Sequence, residues 1–185
     1  MKKAFKKIYS FLKSQLVDQK NYVFLSLSSV DFKHSIVKYD ENLKIFLANS
    51  SHKLKIENDL IPHFDEQQDY FKQFLDFERE DILCYLCEKD NKIVHYFLVF
   101  TDSKNSPLKK TRFKKSLKSF SQSAYLGNTF TIKKERGGWI VLQVLSKIVR
   151  DLEELHDIKD ILVLIHSETR GALKFYQRLG FKIVN

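Results

Sequence analysis

Residues 125–181 read YLGNTFTIKKERGGWIVLQVLSKIVRDLEELHDIKDILVLIHSETRGALKFYQRLGF. All five glycines of the chain lie here: Gly127, Gly137, Gly138, Gly171 and Gly180. Glycine marks backbone that bends unusually or comes close to something else. An apolar, β-rich run over 125–132 leads into a basic turn and a Gly-Gly pair. Val141, Leu145, Ile148, Leu152 and Leu155 then recur at helical spacing, while Lys147, Arg150, Asp151 and Glu154 point away. Residues 161–165 read as a second strand, and about 168 to 178 as a second helix closed by Gly-Phe. Strand, Gly-rich turn, helix, strand is a βαβ layout. The loop before the first helix offers free backbone N–H groups and a positive dipole end, which suit a phosphate.

Working back from this stretch, residues 82–87 and 93–100 are apolar runs around Lys89-Asp90-Asn91, which predicts a hairpin. Both strands are apolar on both faces, so the hairpin belongs in the middle of a sheet covered on each side. His95 shares a face with Ile93, Phe97 and Val99. It reads either as a satisfied core residue or as a substrate or proton-handling group. Residues 101–122 break the pattern. They start polar around Pro107 and run KKTRFKKSLK, a charged loop or short solvated helix. Strands are expected at 22–27 and 43–47, a polar connection at 50–58, and an ambiguous stretch at 31–38. A helix after Pro62 would be capped by Asp65, with Gln68 at the box position. Residues 3–17 form an amphipathic pattern, with Phe5, Ile8, Leu12 and Leu16 on one face and lysines elsewhere.

A chain of 185 residues fits one domain, with 1–122 and 123–185 as its halves. An apolar fraction of 43% and a mean hydropathy of -0.33 fit a soluble globular protein. The formal charge of +9 favours an anionic partner: a nucleotide cofactor, a nucleic acid or a membrane surface. Lysines 109, 110, 114, 115 and 118 with Arg112 could neutralise phosphates. Against nucleic acid, no aromatic platform for bases interleaves them, and no recognised binding motif is present. The basic 3–17 segment could instead lie on an acidic membrane or dock on the core. No apolar run is long enough to span a bilayer, and Lys6, Lys7 and Lys13 interrupt any signal-peptide core. Cys84 and Cys87 form C-x-x-C inside a strand pattern, without the helix start of a redox pair or the second pair of a zinc site. Buried reduced thiols follow, and a cytoplasmic location with them. Metal ligands are not expected, and self-association is left open.

Three features together resemble the GNAT superfamily of acyl-CoA-dependent N-acyltransferases: the strand–loop–helix order, the loop and the closing signature. The likeness covers roughly the last 60 residues well. The family's pyrophosphate loop has the pattern Q/R-x-x-G-x-G/A. Here the register gives Arg136-Gly137-Gly138-Trp139-Ile140-Val141, in which Arg136, Gly137 and the apolar Ile140 match. Trp139 and Val141 stand where the pattern's first Gly and its second Gly or Ala belong. The later signature is close to N-x-x-A-x-x-x-Y-x-x-x-G-F, and Thr169, Ala172, Tyr176, Gly180 and Phe181 occupy those places. Only the Asn differs, and a Thr hydroxyl cannot reproduce both hydrogen bonds of its amide.

The resemblance implies a mixed, mostly antiparallel α/β sheet covered by helices on both faces. It implies acetyl-CoA as co-substrate, a small primary amine as acceptor and direct attack of that amine. It also implies a splay between the family's fourth and fifth strands, with pantetheine pairing along Phe130, Thr131 and Ile132. Thr169, Ala172 and Phe175 fall on the cofactor side of the second helix, and Tyr176 falls on the tyrosine that protonates the departing thiolate. His166 and His95 are the candidate bases. The string RGGWIVLQVLSKIV is similar to relatives that acetylate amino sugars in surface-polysaccharide pathways. Two departures set alternatives. If Trp139 and Val141 turn into the core, the loop can still present N–H groups; if Trp139 covers the site, the chain is a degenerate binding or scaffold protein. GNATs also continue further beyond the Gly-Phe, so substrate-side elements are expected to be missing or supplied by another chain. A basic nucleic-acid- or membrane-associated module is the remaining alternative.

Overall fold

The structure is a computed structural model that describes residues 21–64, 79–137 and 139–184. The helices expected at 3–17 and from Asp65, and the loop residue Gly138, lie outside the described residues. The strands are β1 (Tyr22–Ser28), β2 (Leu43–Leu47), β3 (Ile82–Lys89), β4 (Lys92–Phe100), β5 (Ser123–Thr131), β6 (Asp160–His166) and β7 (Lys182–Ile183). Helices α1 (Lys53–Asp59), α2 (Ile140–His156) and α3 (Arg170–Arg178) join them. The strands form one 7-stranded sheet in the order β2-β3-β4-β5-β6-β1-β7. Every pairing is antiparallel except β5 with β6. This is the mixed, mostly antiparallel sheet expected, with helices on both faces.

Local chemistry explains the elements. Asp90 and Asn91 turn the β3–β4 hairpin with φ of 51° and 61°, the left-handed pair that a tight hairpin needs. The hairpin is buried on both faces, and Tyr85, Leu86, Tyr96 and Phe97 are fully enclosed. α2 lays Val144, Leu145, Ile148, Val149 and Leu152 on the sheet. Each residue of β1 pairs with one of β6, from Tyr22↔His166 to Ser28↔Asp160. The flank of β6 is thus covered from the N-terminal half of the same chain.

Several expectations are corrected. Residues 50–58 are not a mere connection: α1 forms there, because Ile56 and Leu60, one turn apart, are both buried. Asn49 starts that stretch with a capping box, its side chain accepting from Ser51 N and its N–H donating to His52 Nδ1. Asp151 was expected to face away, yet it is buried and accepts from Tyr85 Oη at 3.0 Å and from Lys147. Leu155, assigned to the apolar face, is 69% exposed. α2 is covered on a second side by residues 34–39, where His34 and Tyr39 meet Ser146, and this rotates burial away from a single stripe. Residues 101–122 are neither a free loop nor a solvated helix. They are successive 3-10 turns pinned by Leu108 and Leu117 to Phe24 and Leu162 in a second core cluster.

Candidate active site

Strands β5 and β6 run side by side only from Ser123↔Asp160 to Leu126↔Val163. Beyond that rung β5 stays with β4 and β6 stays with β1, so the sheet opens between them. The cause is local. Val99 pairs with Leu126 and Phe97 with Thr129, so Gly127 and Asn128 form a bulge opposite Leu98. A Cβ on Gly127 would lie 2.8 Å from Phe100 Cε2 and 3.2 Å from Leu98 O, so the bulge takes glycine.

The far half of β5 presents to this opening an edge that no described strand pairs with. Ile132 N–H donates to Val94 C=O at 3.0 Å, so its backbone faces β4. Alternation turns the Thr131 backbone the other way, and its C=O accepts from Arg136 Nε at 2.9 Å. Thr129, two residues earlier, shares that direction, whereas Phe130 shares that of Ile132. Phe130 is buried against Phe64 and Tyr96, and the Arg136 guanidinium lies 5.6 Å from its ring centre. Asn128 Nδ2 donates to Tyr96 Oη at 3.0 Å. Asn128 and Thr129 were not singled out from the sequence. The period-two alternation through Thr131 was the available signal for Thr129.

At the end of β5 the chain turns through Lys133–Glu135 and enters α2. Gly137 has φ of 82°, a conformation that L residues with side chains rarely adopt, and it faces open space. Trp139 precedes α2 without a capping side-chain bond, and no acid stands in the first turn. The helix start therefore keeps N–H groups and a positive dipole end for an anion. Val141 packs against the main core. Trp139 does not: it is 48% exposed, with the Lys38 ammonium 5.4 Å from its ring centre. Ile140 is buried.

α3 starts at Arg170, after Thr169 N–H closes on His166 C=O at 2.9 Å. Ala172 and Phe175 are half-buried against the main core. Tyr176 is 7% exposed, edge-on to Phe175 at 5.3 Å and to Phe181 at 5.0 Å between ring centres. Burial pushes its phenol pKa well up, with Tyr125 adding to the shift, so it stays protonated at neutral pH. His166 ends β6 beside the opening. Its ring meets Tyr22 edge-on at 5.0 Å, and Nδ1 lies 3.9 Å from Glu168 Oε2. Tyr22 is a neighbour that nothing in the sequence pattern marked. His95 is fully buried, with Nδ1 2.8 Å from Thr131 Oγ1 and Nε2 3.4 Å from Thr129 Oγ1. Burial lowers its pKa to about 3, so it is neutral at any physiological pH. The opening thus gathers the β5 edge, the loop before α2, and the ends of β6 and α3, while His95 sits behind the two threonines.

No family model and no curated protein matches the chain by sequence. Solved structures do match it by shape. A GCN5-related N-acetyltransferase from Kribbella flavida superposes with a TM-score of 0.54 at 12% identity, covering 87% of this chain and 53% of that one. This chain thus spans about half the length of that relative. The GCN5-related glucosamine N-acetyltransferase region of a fungal multi-domain GH3 β-N-acetylglucosaminidase gives 0.66 at 14% identity, covering 88% of this chain and 20% of that one. AAC(6')-Iy, in complex with the bisubstrate analogue CoA-S-monomethyl-acetylneamine, gives 0.56 at 12% identity, covering 76% and 90%. At such identities the likeness speaks for architecture alone. The chain has the fold that these GCN5-related N-acetyltransferases share.

Proposed function

We propose that this chain is an N-acetyltransferase that moves an acetyl group from acetyl-CoA to a primary amine by direct attack. The observation that carries the reading is the opening after Leu126↔Val163, with an uncapped, acid-free helix start at one end of it. The residues fit the co-substrate. Arg136, Gly137, Trp139, Ile140 and Val141 frame the loop for a pyrophosphate, and the backbone of Thr129 and Thr131 offers an edge to an extended amide-bearing arm. Thr169, Ala172 and Phe175 line the α3 side. The thioester supplies an activated acyl group, and the amine displaces the thiol sulfur from it.

Within that frame Tyr176 serves as the acid that gives its proton to the departing sulfur. Its raised pKa keeps the proton in place until the sulfur departs. His166, at the end of β6, accepts the proton that the amine sheds. His95 holds Thr129 and Thr131, which fixes the β5 edge. The acceptor is a small amine, and an amino sugar is the class that the sequence hint favours. Buried free thiols at Cys84 and Cys87 support a reducing, cytoplasmic setting, and no helix among the described residues is long and apolar enough to cross a membrane.

Calorimetric titration with acetyl-CoA and CoA tests the reading, repeated on Gly137→Trp. The expected result is binding by the native chain and its loss in the variant. Absence of heat and of thermal shift at saturating ligand would leave the fold without the chemistry, as in the degenerate-scaffold alternative.

A further inference from the structure

The turn that leads into α2 carries one charge of the wrong sign for an anion. Residues 133–136 read Lys-Lys-Glu-Arg, and the first turn of the helix that follows holds no acid. Lys133, Lys134 and Arg136 are exposed, whereas the Glu135 side chain is 17% exposed. A carboxylate here lies close in sequence to the N–H groups of the helix start, and its field opposes that of the dipole end. A phosphate arriving at the loop would meet repulsion from Glu135 unless that charge is cancelled.

The fold supplies the cancelling charge from elsewhere. Lys89 Nζ donates to Glu135 Oε2 at 2.9 Å, across 46 positions of sequence. Lys89 is the last residue of β3, and Asp90 and Asn91 turn the hairpin directly after it. The same hairpin holds the turn at a second point, where Val94 C=O accepts from Ile132 N–H at 3.0 Å. Glu88, next to Lys89, is matched separately by Lys55 and Lys44 and does not draw Lys89 away. The Glu135 carboxylate, and after it Asp90 and Asp40, hold the Lys89 ammonium above its ordinary range. Lys89 is thus a cation set among acids at the edge of the loop.

We infer that Lys89 sets the loop's affinity for the phosphates of acetyl-CoA by cancelling the charge of Glu135, an inference that rests on the acetyl-CoA reading of the same loop. Lys89 acts through Glu135, so it is a positioning residue of the binding loop and not a catalytic one. A surface ion pair of this kind adds little to stability, and its weight falls on the ligand instead. The other use of such a pair is mechanical, a tether that ties the turn to the hairpin tip. The two uses differ in sign. A tether cut at either end loosens the loop, so loss of Lys89 and loss of Glu135 both weaken binding. With charge cancellation the two losses act in opposite directions: without Lys89 the acid repels the phosphates, and without Glu135 the ammonium attracts them.

Calorimetric titration of the full chain with acetyl-CoA at low ionic strength tests it. In Lys89→Met the Kd rises about fivefold, the size that one added unit charge has near a dianion in water. In Glu135→Gln the Kd falls by a similar factor. Lys89→Met/Glu135→Gln returns it to within about twofold of the native value. Lys89→Arg keeps native affinity, and salt at about 0.5 M shrinks every difference. Matching thermal melts show that the variants fold. Weaker binding in both single variants, or a double variant no better than Lys89→Met, overturns the inference in favour of a tether and leaves the acetyl-CoA reading standing. An unchanged Kd in Lys89→Met overturns it too. No binding of acetyl-CoA by the native chain overturns both together.

Discussion

Nδ1 of His95 lies 2.8 Å from Oγ1 of Thr131, across the β4–β5 ladder and out of reach of solvent. Its folded pKa falls from 6.5 to about 3 because burial penalises the charged ring. A depressed folded pKa means that the unfolded chain takes up a proton first. Stability from this site is complete above the unfolded value and is lost as pH falls toward about 3. The slope for one proton is about 1.4 kcal/mol per pH unit. Urea titrations of the native chain and of His95→Gln from neutral pH to pH 4 should show this component in the first and not in the second. Parallel profiles would mean that His95 is charged or solvated in the folded protein.

Gly127 sets the opening by setting the bulge. An added methyl would meet Phe100 Cε2 at 2.8 Å and the Leu98 carbonyl at 3.2 Å, and that backbone atom cannot rotate aside. Gly127→Ala should therefore cost about 1–3 kcal/mol of stability, the range for overpacking a close-fitted site. Chemical denaturation measures it. A cost below about 0.5 kcal/mol would show that the bulge relaxes, and that glycine is not what keeps β5 from β6.

Tyr176→Phe removes the hydroxyl while keeping the ring between Phe175 and Phe181. With Tyr176 as the acid, kcat falls about 10²–10⁴-fold and co-substrate affinity holds, since proton donation acts in the transition state. Stability should change little, because the ring contacts with Phe175 and Phe181 are kept. The comparison needs both steady-state rates and a binding isotherm. Unchanged kcat would move the acid elsewhere.

Periodicity made much of this architecture legible. The β3–β4 hairpin, β5, α2, β6 and α3 follow from apolar spacing and turn residues, each within a few positions of its observed bounds. The partner of β6 was not legible: β1 reaches it from the opposite end of the chain, and nothing in Tyr22–Ser28 names its neighbour. Asp151 misled for a related reason. A helix covered on two sides buries polar residues that a single-stripe reading sends to solvent, and Tyr85 and Lys147 satisfy this one. At the candidate site, the tyrosine and the loop were proposed from motif spacing. Thr129 could have been reached by alternation from Thr131, whereas Asn128 came into view only through the bulge, whose register shift a linear pattern does not encode.

Gln143 poses the opposite case to Asp151. It is 3% exposed on α2, and its Nε2 has no hydrogen-bond partner among the described residues. A buried donor without a partner costs about 1–3 kcal/mol, so an apolar side chain of similar volume should be tolerated or better. Gln143→Leu is expected to leave stability unchanged or raise it by up to about 2 kcal/mol. Ser146, one turn on, gives the contrast. It lies 2.9 Å from His34 Nδ1 and 3.3 Å from Tyr39 Oη, so Ser146→Ala should cost about 1 kcal/mol or more. Denaturation of the two variants side by side decides the matter. If Gln143→Leu costs as much as Ser146→Ala, a buried water holds the amide, and the side of α2 next to Trp139 is a wet polar seam.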